Sequence, residues 1–122
     1  MKQWIMAGTL LAALSVIFGA FGSHGLKTRV APEMLAVFET GVRYHFYHAL
    51  GLIMIGILGF HYSAFQLQLP AMMMSTGILV FSGTLYLLVL TGQKWLGAVT
   101  PIGGLLLILS WATLAYRIYR TG

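Results

Sequence analysis

The chain has no cysteine, only two acidic residues, and 7% charged residues in a length of 122. Without cysteine, disulfide bonds and thiolate chemistry are excluded. A soluble domain typically carries about 25% charged residues, so this chain has too few charges to cover a water-facing surface. Its residues are 59% hydrophobic and its mean hydropathy is +0.89. The composition therefore predicts an integral membrane protein with lipid as its surroundings, and the length fits one domain over residues 1–122.

The few charges are mostly basic, and seven Lys and Arg residues give a formal net charge of +5. On a soluble protein this excess would suggest a nucleic-acid partner. Here the cations stand mostly where apolar segments end, at Lys2, Lys27, Arg29, Arg43, Lys94, Arg117 and Arg120. That placement indicates contact with lipid headgroups and excludes nucleic acid as a partner.

Four long apolar segments predict four helices, at about residues 4–21, 32–60, 70–90 and 100–119. Each approaches the roughly 20 residues needed to cross a membrane. The first follows a cation, as a signal peptide does, but it fills a whole membrane thickness and is interpreted as a helix. Pro32, and Thr100 followed by Pro101, are typical of helix starts. No strand pattern or repeat is visible, so the predicted fold is an all-α integral-membrane four-helix bundle.

Four spans place both termini on one side of the membrane. The cations then divide equally, with three on the terminal side and three on the other. Lys2 precedes the first span and two cations follow the last, which favours cytoplasmic termini.

The segment "GVRYHFYHALG" (residues 41–51) and Glu39 before it place Glu39, Arg43, His45 and His48 close together in the second helix. Glu39 and Arg43 are four residues apart and share one side of that helix. They predict a neutralised ion pair near the membrane surface. The alternative is that Glu39 carries protons or cations.

His45 and His48 lie on the opposite side of this helix, together with Gly41, Gly56 and Gly59. Histidine on a glycine-rich face is typical of interhelical hydrogen bonding. A proton relay and contact with haem or a quinone stay open, the latter with His24 as a further partner. That face carries no carboxylate and the chain has no cysteine, so no metal site is predicted.

The third and fourth helices carry small residues at positions that predict close helix packing. Ser82, Gly83 and Tyr86 fall on one face of the third helix, and Gly103 with Gly104 begins the fourth. The two glycines lack a preceding strand and a GKS or GKT sequence, which excludes a phosphate-binding loop.

Four segments, "FGAFGSHGLK", "FETGVRYHFYHALGL", "FSGTLYLLVLTG" and "LGAVTPIGG", occur in this order over most of the chain. Together they resemble the domain of unknown function 423 family, small bacterial inner-membrane proteins similar to eukaryotic transmembrane protein 256. The resemblance implies a multi-pass protein of the bacterial inner membrane and brings no reaction or cofactor with it. The residues that lie within the family's motifs are His24, Glu39, Arg43, His45, His48, Ser82, Tyr86 and Pro101.

Three functions remain compatible with the sequence. The first is a non-enzymatic accessory or scaffold subunit, or a homo-oligomer, with no cofactor. The second is an oligomeric small-molecule or proton-coupled carrier that uses Glu39. The third is an accessory protein that contacts a quinone or haem through His24, His45 and His48. No nucleophile and base pair is recognisable, so an enzyme is not predicted.

Overall fold

The computed structural model describes residues 1–121 and confirms the all-α four-helix architecture. The helices are α1 (Lys2–Phe21), which continues as a π-helical turn over Gly22–Leu26, α2 (Pro32–Leu58), α3 (Ala64–Thr91) and α4 (Leu96–Thr121). Three segments, Lys2–Leu26, Ala64–Thr91 and Leu96–Thr121, are apolar and long enough to cross a membrane. The fourth predicted span, α2, has the length but not the composition, because its first half is polar.

The helices pack in chain order, α1 on α2, α2 on α3 and α3 on α4. One end of the bundle gathers the N-terminus, the connection from α2 to α3, and the C-terminal part of α4. There Trp4 Nε1 donates to Gln68 Oε1 at 3.0 Å, and Arg117 Nη1 donates to the carbonyl of Phe65 at 2.9 Å. Both termini therefore lie at the same end.

The apolar residues form a core and also cover the outside. The main core cluster joins α2, α3 and α4 through Leu52, Ile55, Leu67, Ala71, Met74, Ile78, Leu107 and Leu114. A smaller cluster of Leu26, Phe38 and Val89 closes the other end. Large apolar side chains such as Leu10 and Ile108 are nevertheless more than 60% exposed. An apolar outer surface of this kind suits lipid.

α3 begins at Ala64, six residues before the start predicted at Pro70. Ser63 is its N-cap, and the backbone N–H of Ser63 donates to Gln66 Oε1 at 3.3 Å. This Ser-x-x-Gln capping box was readable from the sequence and was missed. Pro70 lies inside the helix, where the carbonyl oxygen of Pro70 accepts a hydrogen bond from Ser110 Oγ at 2.9 Å.

α4 also begins earlier than predicted, at Leu96, so the expected N-cap at Thr100 is wrong. Backbone bonds start the helix from within the preceding loop, with the Gly97 N–H donating to the Lys94 carbonyl at 3.0 Å. Thr100 Oγ1 instead donates to the Leu96 carbonyl at 3.1 Å and lies 2.6 Å from Thr84 Oγ1 on α3.

The other bounds differ from the predicted ones by two residues or fewer. α1 begins at Lys2, α2 ends at Leu58, and α3 ends at Thr91. Gly92 follows α3 with φ +74°, the left-handed conformation that favours glycine at a helix end. The connection predicted after α1 is in part the π-helical turn.

Most of the predicted packing glycines lie where another part of the chain comes close. A Cβ atom on Gly103 would meet the backbone of Phe81, with Phe81 Cα only 2.7 Å away. Gly41 on α2 faces the Tyr86 ring. Gly56 on α2 faces Ile5, and Gly59, directly after α2, faces Met1.

Two predicted packing glycines differ from the others. Gly104 leaves only ordinary contact, since its Cβ would lie 3.5 Å from the Phe81 ring. A Cβ on Gly83 would meet nothing within 4 Å, so Gly83 is not a close-packing glycine.

We expect Gly103→Ala to lower the free energy of unfolding by about 1–3 kcal/mol, because its methyl group forces α4 away from the α3 backbone. The free energy is measured by titrating the purified protein in mixed micelles with dodecyl sulfate. Gly104→Ala is the matched control and should be neutral or slightly stabilising, since alanine favours a helix. Equal losses in both variants would contradict the close approach at Gly103.

Candidate functional site

His48 is 7% exposed and its two ring nitrogens both have hydrogen-bond partners. His48 Nδ1 lies 2.7 Å from the carbonyl oxygen of Tyr44, one turn back on α2. Trp111 Nε1 on α4 donates to His48 Nε2 at 3.0 Å. The indole is a donor only, so Nε2 is the acceptor and Nδ1 carries the proton. The neutral imidazole is thus fully used in joining α2 to α4.

His45 is 2% exposed and contacts α3 rather than α4. Its Nδ1 atom lies 2.8 Å from Tyr86 Oη. One turn back on α2, the carbonyl oxygen of Gly41 accepts a hydrogen bond of 2.7 Å from Ser82 Oγ. Ser82 and Tyr86, which the sequence places on one face of α3, therefore both reach α2.

The two histidines diverge although they are one turn apart. A spacing of three residues rotates the second side chain by about 60° from the first, which is enough to direct them towards different helices. His24 is exposed in the π-helical turn and joins neither histidine. Within residues 1–121, no three His, Asp or Glu side chains are grouped as metal ligands. His48 in particular has no free nitrogen for a metal or a haem iron.

The predicted Glu39–Arg43 ion pair is wrong. In the described residues Glu39 and Arg43 form no salt bridge, and Arg43 Nη2 instead donates to Thr40 Oγ1 at 3.3 Å. Both charged residues are exposed, and an exposed pair gains little free energy from pairing. They line a cavity of about 190 Å³ with Ser23, beside the π-helical turn.

Two further spaces flank the histidines. A cavity of about 580 Å³ lies between α2, α3 and α4, with His48 and the aromatic residues Tyr44, Phe81 and Trp111 in its walls. A groove of about 190 Å³ lies between α1, α2 and α3 and contains His45 and Tyr86. The histidine face of α2 is therefore open to two separate spaces.

Sequence reasoning missed two residues that complete this polar network, Trp111 and Ser110. Trp111 donates to a histidine 63 residues earlier in the chain. Ser110 is fully buried and reaches the Pro70 carbonyl. A serine beside a tryptophan within an apolar helix was the available signal, but nothing local identifies their partners.

The comparisons with known proteins agree with the resemblance in the sequence. The family model described as "Protein of unknown function (DUF423)" matches residues 18–104, which include every candidate site residue named from the sequence. The UPF0382 membrane protein YwdK of Bacillus subtilis is 44% identical over 112 residues, covering 91% of each chain. UPF0382 membrane proteins of Staphylococcus haemolyticus and Staphylococcus aureus are 40% and 39% identical over 120 residues, covering 98% of each chain.

No solved structure matches the chain. The family model covers more than half of its residues and the relatives cover nearly all of them. This chain therefore belongs to the DUF423 family, among relatives that are named membrane proteins.

Proposed function

We propose that this chain is a non-catalytic protein of the bacterial inner membrane that acts as an accessory subunit, bound through its outer helices to another membrane protein. The observation that carries the proposal is the contrast between an interior that uses its polar groups for folding and an exterior that is almost wholly apolar.

The interior supports this proposal because its side-chain donors are largely used in joining helices. Ser82 Oγ donates to a carbonyl of α2, Ser110 Oγ to a carbonyl of α3, and Trp111 Nε1 to His48. A nucleophile activated for catalysis needs a base within hydrogen-bond reach. Here the buried hydroxyls donate to backbone carbonyls instead.

The exterior supports it through the helix order. α1 and α4 each pack mainly against one neighbour, so both present most of their circumference outwards. Leu10 and Val16 on α1 are 69% and 63% exposed, and Ile108 and Leu105 on α4 are 66% and 56% exposed. These are the surfaces that a second membrane protein would contact by close packing.

A photo-crosslinking amino acid placed at Leu10 or at Ile108 should give a protein adduct of one discrete mass in native membranes. We expect this from at least one position because the partner packs on an outer helix, and mass spectrometry identifies the adduct. The matched control is Leu52, which is fully buried and should give no intermolecular adduct. If the chain is cross-linked to itself, the protein that packs on the outer helices is a second copy of the chain, and not a different subunit. Lipid adducts alone at both outer positions would contradict the proposal.

The orientation with cytoplasmic termini belongs to the same proposal. The end of the bundle that holds both termini carries Lys2, Arg117 and Arg120. Lysine and arginine close to the ends of spans favour the cytoplasmic side.

Because the chain has no cysteine, single cysteines report this orientation without background. His61 lies at the end of the bundle that holds the termini, so we expect His61→Cys to be labelled by a membrane-impermeant maleimide only in inside-out vesicles. Ser23 lies at the other end, so we expect Ser23→Cys to be labelled only in spheroplasts or protoplasts. Both positions are exposed, and neither substitution changes a Lys or Arg. The reverse labelling would place the termini outside.

A carrier that uses Glu39 is the second candidate, favoured by one observation. Glu39 forms no salt bridge with Arg43, so its carboxylate is not held by a cation of the same helix. Against it, Glu39 lies exposed beside the π-helical turn, and not between the central helices.

Glu39→Gln separates these two functions. The accessory proposal predicts that Glu39→Gln has the same proton flux in proteoliposomes as the wild type. The control is Glu33→Gln, which changes an exposed acidic residue in the first turn of the same helix and should also leave the flux unchanged. Flux in the wild type that disappears in Glu39→Gln and persists in Glu33→Gln would favour the carrier.

A further inference from the structure

Among the buried side-chain nitrogen and oxygen atoms of residues 1–121, one has no hydrogen-bond partner, and it is His45 Nε2. The imidazole that carries it is 98% buried, since His45 is only 2% exposed. The carbonyl of Leu11 on α1 faces this ring, but it makes no hydrogen bond of normal geometry with Nε2. A buried polar group without a partner is costly, and each case in a native structure requires an explanation.

His45 is one of the residues that line the groove of about 190 Å³ between α1, α2 and α3, so the side chain with the unpartnered nitrogen forms part of the groove wall. A single buried water needs only a small fraction of this volume, so the groove is too large to be a water site. Its rim is formed by Leu14 on α1 and Leu79 on α3, which are 39% and 67% exposed. The groove therefore opens sideways into the lipid, and a ligand enters it from the membrane.

The side chains around the groove select a neutral ligand. Its lining has no Lys, Arg, Asp or Glu, so an anionic phospholipid headgroup would find no counter-charge. Its polar groups are the imidazole of His45 and the phenol of Tyr86, and Ser82 Oγ is already bonded to α2.

Aromatic rings at the end of the groove select a flat ligand. The rings of Phe18 and Tyr86 meet edge to face with centroids 4.9 Å apart, and Phe18 lies 6.3 Å from His45 in the same manner. Aromatic rings in this arrangement favour contact with a further ring. Gly83 leaves the opposite wall open, because a Cβ there would meet nothing within 4 Å.

We propose that this groove binds the ring of a lipid-soluble quinone or quinol, with one ring oxygen hydrogen-bonded to His45 Nε2 and the tail leaving between Leu14 and Leu79. The imidazole suits both forms. When Tyr86 Oη donates to Nδ1, Nε2 carries the proton and donates to a quinone carbonyl. When Nδ1 donates to Tyr86 Oη, Nε2 accepts from a quinol hydroxyl. This binding does not depend on the accessory role proposed above.

Gly83→Leu tests the site without a foreseeable cost to the fold, since its side chain enters open space and leucine favours a helix. The matched control is Gly104→Leu, which fills the other cavity, that of about 580 Å³ beside His48. The proteins are purified and reconstituted in phosphatidylcholine nanodiscs. Decylubiquinone and phylloquinone serve as the benzoquinone and naphthoquinone probes. Binding is followed by the ¹⁵N resonances of the His45 imidazole and by the probe retained above empty nanodiscs.

We expect saturable binding of at least one probe to the wild type, with a shift of the His45 Nε2 resonance. Gly83→Leu should weaken probe binding about tenfold or more, because the leucine side chain occupies the groove and displaces the ring of the probe. Gly104→Leu should bind as the wild type does, and the better probe identifies the quinone class. Three results would overturn the proposal: no saturable binding to the wild type, equal binding to Gly83→Leu, or loss in Gly104→Leu while Gly83→Leu still binds.

Discussion

The bundle depends on the requirement that a polar group placed in lipid must find its partner inside the protein. α2 carries both buried histidines, and it packs between α1 and α3. From that position the Gly41 carbonyl and His45 reach α3, and His48 reaches Trp111 on α4. An outer position would have exposed the same groups to hydrocarbon. The order of the helices is thus a consequence of where the polar residues stand in the sequence.

The number of helices was predictable because it depends on local hydropathy, but two of their starts were not. A proline indicates a helix start only when it stands in the first turn, and it is also tolerated inside a helix whose neighbours satisfy the disturbed backbone. Pro70 and Pro101 both lie inside their helices, beyond the first turn. The capping box of Ser63 and Gln66 indicates the observed start of α3, but it is a less conspicuous sequence signal than a proline.

The face of α2 that carries the histidines could be predicted from helical geometry, but the partners of these residues could not. His48 bonds to a residue 63 positions away and His45 to one 41 positions away. Such pairings depend on which helices become neighbours and on how each is rotated. The Glu39–Arg43 ion pair was predicted wrongly for a different reason. The spacing brings the two side chains within reach, but an exposed ion pair gains little free energy.

The two histidines of α2 differ in how far their surroundings satisfy their ring nitrogens. Both are buried on the same helix, yet the surroundings of His48 satisfy both of its nitrogens and those of His45 satisfy one. Loose packing of α2 as a whole does not explain this difference, because Gly41, one turn before His45, is in close contact with the Tyr86 ring. The space beside His45 persists because Gly83 has no side chain to fill it. The proposed hydrogen bond to an outside oxygen atom needs a nitrogen without a partner beside a groove, and His45 combines the two. His48 also lies in the wall of a cavity, but both of its nitrogens already have partners.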